Sequence, residues 1–418
     1  MGSLKAFLKR RMKSKMKKVR LSISISSNSN QKLGLVLFLS TLFLLIGLYS
    51  KPSYALAIAK IRDNPTKVYD IKANLKLIDK DELVDTLRSF VKASRPSRLV
   101  GSSGHEAAQK FLHQKLEETN KNKDSLIYID TFNPDVDYAK KMYCDDFNRQ
   151  IKTAYKPSDP EYKKWLEYTK HTTSFLEERK SFKGKNIIWE KRGHTRPKDI
   201  LVIGAHYDTL VQDPATLLIK DEASMPGAND NGSGVIIALS LVKLLSQMKL
   251  PMTVRVVFFD WGELGFLGSR AFVNKYKNEF TDKNFLGLIN LDRLGYDSKF
   301  LDKEKKYGNM KMYLRRKGSE GHIHDKRLAQ KISDLGDNIS PSIHFEIVGN
   351  QFKNSDNVSF WNEDLVALTM TGDWENDFDP KRYHTSDDFV ETLNINTFYR
   401  AFQFIGGAVM SMAFGISR

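Results

Sequence analysis

Three apolar runs, each followed closely by a residue type able to hold a metal ion, constrain this chain more than any other feature. Ile200 to Ala205 (ILVIGA) runs straight into His206-Tyr207-Asp208. Val254 to Phe259 (VRVVFF) is followed by Asp260-Trp261-Gly262-Glu263, and Phe285 to Leu291 leads into Asp292. Short continuous apolar runs without alternation are what a strand buried on both faces requires. Between them lie helical stretches: Ser233 to Gln247, rich in aliphatics, and Ser269 to Tyr276. A further run, Leu365 to Met370, reads as a strand, and Asp81–Lys92 and Gly104–Glu118 read as amphipathic helices. Strands alternating with helices predict an α/β fold, a sheet covered by helices on both faces. Such folds place their chemistry on the loops at strand ends.

The residues at those ends share one chemistry. Imidazole and carboxylate are hard or borderline ligands suited to divalent ions. His206, Glu263 and Asp292 follow strands, Asp230 lies in Pro226-Gly-Ala-Asn-Asp-Asn-Gly-Ser-Gly234, and His384 lies in Tyr383-His384-Thr-Ser-Asp-Asp388. The glycine-rich stretch 226–234 lacks the Lys-Ser/Thr of a phosphate loop, and Asp230 would repel phosphate. Ser233 reads as a helix N-cap rather than a nucleophile. His322-Ile-His324-Asp325 sits among Arg315, Arg316, Lys317 and Lys326 and reads as a solvated loop, and His105 and His113 as packing residues on a helix.

The ordered segments AHYDT, PGANDNGSG, FFDWGELGFLGSR, INLDRLG and RYHTSDD resemble the co-catalytic two-zinc aminopeptidases, metallopeptidase family 28, relatives of the glutaminyl cyclases and of the transferrin receptor ectodomain. Weaker likeness runs through SRLVGSSGHEAAQKFL and GKNIIWEKRG, so the resemblance covers most of residues 80–410, with 134–183 and 300–345 unanchored. It implies an α/β/α sandwich around a mixed, mainly parallel sheet, and two Zn²⁺ ions. One would be held by His206 and Asp292, the other by Glu263 and His384, with Asp230 bridging. It further implies that Asp208 orients His206, that Tyr383 donates to a developing oxyanion, and that a cis peptide follows Asp230.

One departure bears on activity. In active members two adjacent glutamates follow the strand, the first a general base and the second a ligand. Aligned on Leu-Gly-Phe-Leu-Gly-Ser, Glu263 takes the ligand position and Gly262 stands where the base belongs. Asp260 is the one nearby acid that could substitute. Arg293 follows Asp292 where an apolar residue is usual, and Asn357 stands where the family often has His. A positioned base supplies about 10²–10⁴-fold. The readings that follow are an aminopeptidase acting on peptide amino termini with impaired turnover, a zinc-holding pseudo-peptidase that binds peptide termini, and a glutaminyl cyclotransferase-like enzyme.

Composition enters through the amino terminus. Of 418 residues 66 are basic and 50 acidic, a formal charge of +16. Residues 1–51 carry 11 Lys or Arg and no acid, leaving 55 basic against 50 acidic for the rest, so the excess is no sign of a nucleic-acid partner. One cysteine, Cys144, excludes a disulfide framework. Residues 1–32 form a basic tail, and Leu33 to Ser50 contains no charge over 18 residues, about 27 Å of helix against a hydrocarbon core of about 30 Å. The expectation is a single-pass membrane anchor with the amino terminus cytoplasmic and the rest exported. The alternative is a secretory signal cleaved near Ala55-Leu56-Ala57. A linker over 51–75 and a peptidase-like domain over 76–418, with a charged and irregular insertion or surface excursion with short helices at 134–183, complete the expected organisation.

Overall fold

The structure is a computed structural model and describes residues 65–120, 124–221, 223–298, 310–340, 343 and 345–415. The expected anchor at 33–50, the basic tail and the Ala55–Ala57 site lie outside these residues. Among the described residues no helix is long and apolar enough to cross a membrane.

An eight-stranded sheet forms the centre. In chain order its strands are β1 (Leu126–Phe132), β2 (Gly184–Lys191), β3 (Arg196–His206), β4 (Met252–Phe259), β5 (Asn284–Leu291), β6 (Met310–Tyr313), β7 (Phe345–Val348) and β8 (Ala367–Gly372). Their spatial order is β1-β2-β4-β3-β5-β8-β6-β7. The middle, β4-β3-β5-β8, is parallel, whereas β1-β2, β2-β4 and β6-β8 pair antiparallel. The three apolar runs thus occupy adjacent central strands, where burial on both faces explains their lack of alternation.

The helices are α1 (Pro65–Leu75), α2 (Lys80–Ala93), α3 (Ser103–Thr119), α4 (Val136–Asp146), α5 (Pro160–Glu178), α6 (Gly234–Ser246), α7 (Leu267–Asp282), α8 (His322–Ile339), α9 (Asn357–Trp361) and α10 (Ile395–Phe414). Helices α1, α2, α3, α6, α8 and α10 bury one apolar core against one sheet face. Helices α7 and α9 bury a second core on the other. The expected sandwich is therefore present. Local signals set the helix ends: the Asp79 carboxylate accepts from the Glu82 amide at the start of α2, the Ser102 hydroxyl from His105 at the start of α3, and Gly415, at φ +71, ends α10.

Three expectations need correction. The folded body begins before residue 76, because α1 puts Ile71 and Leu75 into the core. Residues 134–183 are more than a surface excursion with short helices: α4 and the 19-residue α5 bury Val136, Ala139, Phe175 and Leu176 against Trp261, Leu264 and Leu267 in a third core cluster. Their inward faces include Ala and Thr among many charges, which hides the period. His322–Asp325 is no solvated loop. It opens α8, and the fully buried Asp325 takes a bidentate pair from Arg315 at 2.7 and 2.8 Å. The basic neighbours that suggested solvent include the buried partner of that acid.

Candidate metal site

Strand register brings the site together. His206 closes β3 opposite Phe259, the last residue of β4, and Asn290 of β5 lies opposite Gly204. Parallel strands ending level place His206, Glu263 just beyond β4, and Asp292 just beyond β5 along one edge. Asp230 and His384 come from loops, and both must be held against that edge.

Arg98, which sequence analysis did not single out, holds the first loop. Its guanidinium is fully buried and donates to the carbonyls of Tyr207 at 2.6 Å, Pro226 at 2.8 Å and Gly227 at 2.8 Å. It ties the end of β3 to the 226–230 turn with the fixed fork of its donors. Gly227, at φ +58, is needed there: a Cβ would lie 2.5 Å from the Thr209 methyl and 2.7 Å from Arg98 Nη2. Beyond it the Asp388 carboxylate accepts from the amides of Asn229 and Asp230, each at 2.9 Å. The Asp230–Asn231 peptide is cis, as the resemblance implied. Asn231 then locks α6 to the Asp292 loop, its Oδ1 accepting from Gly234 and Arg293 and its Nδ2 donating to Leu291. Ser233 stands at the N-cap position expected, but its side chain makes no capping bond. Its hydroxyl donates to the Asn229 carbonyl and accepts from the Leu294 amide, while Asn231 serves the first turn.

His384 sits at φ +55, its ring stacked on Tyr383 with centroids 3.8 Å apart. Its Nδ1 meets Gln212 Oε1 at 2.8 Å, which leaves Nε2 to face the acids. Ser355 donates to Asp292 Oδ2 at 2.7 Å. Gln212 and Ser355 carried no sequence signal, since each acts only through a residue distant in the chain.

The five expected residues converge. His206 Nε2 lies 3.7 Å from Asp230 Oδ1 and 3.8 Å from Asp292 Oδ1. His384 Nε2 lies 3.5 Å from Asp230 Oδ2 and 3.0 Å from Glu263 Oε2. Ligand atoms of His206, Asp230 and Glu263 all fall within 4.8 Å of one another. Two donors each about 2.1 Å from a tetrahedral ion sit about 3.4 Å apart, so these separations suit zinc. The buried atoms Asp230 Oδ2, Glu263 Oε1, Asp292 Oδ1 and His384 Nε2 have no hydrogen-bond partner, the signature of polar groups waiting for a cation.

Titration tells the same story. Burial pushes Glu263 up to about 8, and burial with the neighbouring Glu263 pushes Asp230 up to about 7. Burial drives His384 down to about 4. Burial opposes charge on His206 too, but Asp208 and Asp292 outweigh it and hold it well above the ordinary imidazole value. Asp230 and Glu263, buried beside other acids, resist ionisation until a cation enters.

Asp208 does more than the resemblance implied, and Asp260, Asn357 and Gly262 each have structural roles of their own. The Asp208 carboxylate stands 3.7 Å from His206 Nδ1, and its oxygens accept from the amides of Gly262 at 2.8 Å and Glu263 at 3.1 Å. It positions the loop carrying Glu263 at least as directly as it orients the imidazole. Asp260 is not free to substitute as base. Its oxygens are taken by the Trp261 and Lys185 amides and by His105 Nε2 at 2.7 Å, a buried pair. Asn357 is a buried structural amide between Phe352 and Thr369. Gly262 presses on the first imidazole: a Cβ there would lie 2.4 Å from His206 Cβ and 2.6 Å from its Cγ.

A cavity of about 510 Å³ opens beside the site. Glu263, Tyr383 and His384 line it, and α4 and α5 contribute Tyr143, Trp165 and Tyr168 to its wall. The Tyr143 hydroxyl donates to the Glu263 carbonyl at 3.2 Å.

A family profile described as Peptidase family M28 matches residues 186–409. A "Probable zinc metalloprotease" of Pyrenophora tritici-repentis is 29% identical over 156 residues, covering 37% of this chain and 34% of that protein. A "Probable aminopeptidase YDR415C" of Saccharomyces cerevisiae is 32% identical over 125 residues, 28% and 32% respectively. The chain thus matches about a third of the length of these relatives. BSAP, a zinc aminopeptidase from Bacillus subtilis, superposes with a TM-score of 0.55 at 16% identity, covering 80% of this chain and 95% of that one. At that identity the likeness speaks to the fold.

Two outcomes are expected. Gly262→Ala, and Gly262→Glu more so, should displace His206 and weaken zinc binding at least about tenfold, about 1.4 kcal/mol, read by competition with a chromogenic chelator. Wild-type affinity in Gly262→Ala would show that the loop yields. Second, the raised Glu263, Asp230 and His206 bind protons in the fold that the unfolded chain has released near neutrality. Their contribution is therefore lost as pH rises through their folded values. The melting temperature of chelator-stripped protein should fall between pH 6.5 and 8.5, and zinc should reverse the fall. A flat profile without metal would contradict the burial of these acids.

Proposed function

The chain belongs to peptidase family M28, and from that premise we propose that it is an aminopeptidase-type metalloprotein holding two zinc ions and a peptide amino terminus, with peptide hydrolysis slowed by the loss of its base. The observation that carries the reading is the split of the donors around Asp230, one carboxylate oxygen facing His206 and the other His384. His206 and Asp292 would hold one ion and Glu263 and His384 the other, with Asp230 between them. When bound, the pair supplies a water of lowered pKa and a Lewis acid for the peptide carbonyl.

The chain's own residues do the rest. Asp208 and Tyr143 fix the Glu263 loop from both sides through backbone groups. Gln212 fixes the His384 tautomer. Tyr383 lines the cleft beside His384 and presents a phenol that burial keeps protonated, suited to donating to a developing oxyanion. At position 262 no side chain takes the water's proton or returns it to the leaving amine. A peptide bond, whose amine leaves poorly, is hindered most.

A second reading, a pseudo-peptidase that captures peptide termini without turnover, is favoured by the packing of Gly262 on His206, which closes the place of the missing base. Elemental analysis with a turnover assay tests both. The first reading expects two zinc ions per chain and zinc-dependent release of amino-terminal residues about 10²–10⁴-fold slower than in a member with the paired glutamates. Two ions with no turnover would leave the second. Absence of zinc would overturn both.

The tether belongs to the same proposal. The uncharged Leu33–Ser50 run behind a basic tail supports a single-pass anchor with the catalytic body outside the cytoplasm. The full chain should stay with membranes through alkaline carbonate extraction, with its body protected from protease added on the cytoplasmic side. Release of a chain shortened to near Ala57 would instead identify a cleaved signal.

A further inference from the structure

Arg293, directly after Asp292, is the residue in which this site departs most from an ordinary zinc cluster. It is only 7% exposed and takes a left-handed backbone at φ +51, a conformation that costs a non-glycine residue unless the surroundings impose it. Here they do: its amide donates to Asn231 Oδ1 at 3.2 Å. That backbone turns the side chain into a cage of three rings. The guanidinium carbon lies 4.4 Å from the Trp374 centroid, 4.7 Å from Tyr383 and 5.2 Å from Phe378.

The cage orients the guanidinium without pairing it, although its charge favours ionisation of Asp230, Glu263, Asp292 and Asp388 nearby. Among the described residues no carboxylate oxygen comes within 4 Å of it, and its buried Nε has no hydrogen-bond partner. The acids nearest the crevice beside it are engaged elsewhere. Asp379 pairs with Arg382 at 2.7 Å, Asp388 accepts from the Asn229 and Asp230 amides, and Asp230 belongs to the ligand set. A buried guanidinium with ring faces, an unpartnered Nε and no direct ion pair still has donors to offer. Arg293 does not line the 510 Å³ cleft itself but two narrow crevices of about 10 Å³ each, one meeting the cleft wall at Tyr383 and the other at Phe378.

We propose that Arg293 is a specificity-determining residue that receives the side-chain carboxylate of an acidic amino-terminal residue, so that the cleft selects peptides beginning with aspartate or glutamate. This rests on the two-zinc reading above. The ring cage holds the planar fork in one orientation, which favours bidentate capture of a carboxylate.

Calorimetric titration of the zinc-loaded full chain tests it with three probes: an amidated tripeptide beginning with glutamate, the same peptide beginning with leucine, and a leucine-first dipeptide with a free carboxyl terminus. The glutamate peptide should bind at least about tenfold more tightly than its leucine counterpart. Arg293→Met should abolish that ratio with zinc content unchanged, and Arg293→Lys, which keeps charge but not the fork, should retain part of it. If Arg293→Met loses its cooperative melting transition, the Arg293→Lys ratio decides, and a wild-type ratio there would overturn the bidentate assignment. Equal binding of the two amidated peptides to zinc-loaded wild type overturns the inference while leaving the metal reading intact. An Arg293-dependent gain confined to the free dipeptide also overturns it, assigning the guanidinium to a terminal carboxylate. Failure to take up zinc overturns the metal reading, and the inference with it.

Discussion

Three carboxylates, Asp230, Glu263 and Asp292, share a dry pocket with two imidazoles, and their mutual repulsion is the constraint on which the rest of the molecule depends. Like charges at such separations are costly in a low dielectric, and protonation alone relieves only part of the cost. A fold that keeps them together must supply rigid scaffolding that prevents each acid from turning away. The parallel strands β3, β4 and β5 supply most of it, because their level ends aim successive loops at one point.

The remaining scaffolding is made of buried polar groups acting on backbone. Arg98 clamps three carbonyls, Asp388 holds two amides, and Asp208 holds two more. These side chains shape the loops that present the ligands rather than offering themselves to an ion. Burial pushes Arg98 down to about 10, yet acids on several sides raise it and keep it charged near neutrality. The clamp and the cluster therefore stabilise one another across the 226–230 turn.

Gly262 and Arg293 are linked by the same geometry. A side chain at 262 would collide with His206, so the loop after β4 lies closer to the imidazole than a glutamate would permit. A guanidinium replaces an apolar neighbour on the far side of Asp292, where three rings receive it. The two changes remove an acid from one side of the cluster and add a cation on the other. Under the proposed function, both would shift the site away from proton transfer and toward holding negative charge.

Sequence alone determined the central strands, the helices between them, and the five ligand-type residues, because a strand buried on both faces writes its period into consecutive residues and a ligand must be a particular side chain. It also marked Gly262 and Arg293 as departures from the pattern it resembles. The short strands β6 and β7, the packing role of α4 and α5, and the buried Arg315–Asp325 pair were illegible in it. Strands of four residues carry no period, and a basic cluster looks the same in sequence whether it faces solvent or a buried acid. Only tertiary structure decided that Arg98, Gln212, Ser355 and Asp388 hold the site in place, that Asp260 is occupied by His105, and that Arg293 has rings around it but no direct ion pair. Each of those facts is a contact between residues far apart in the chain, and a local pattern does not record what a side chain will meet.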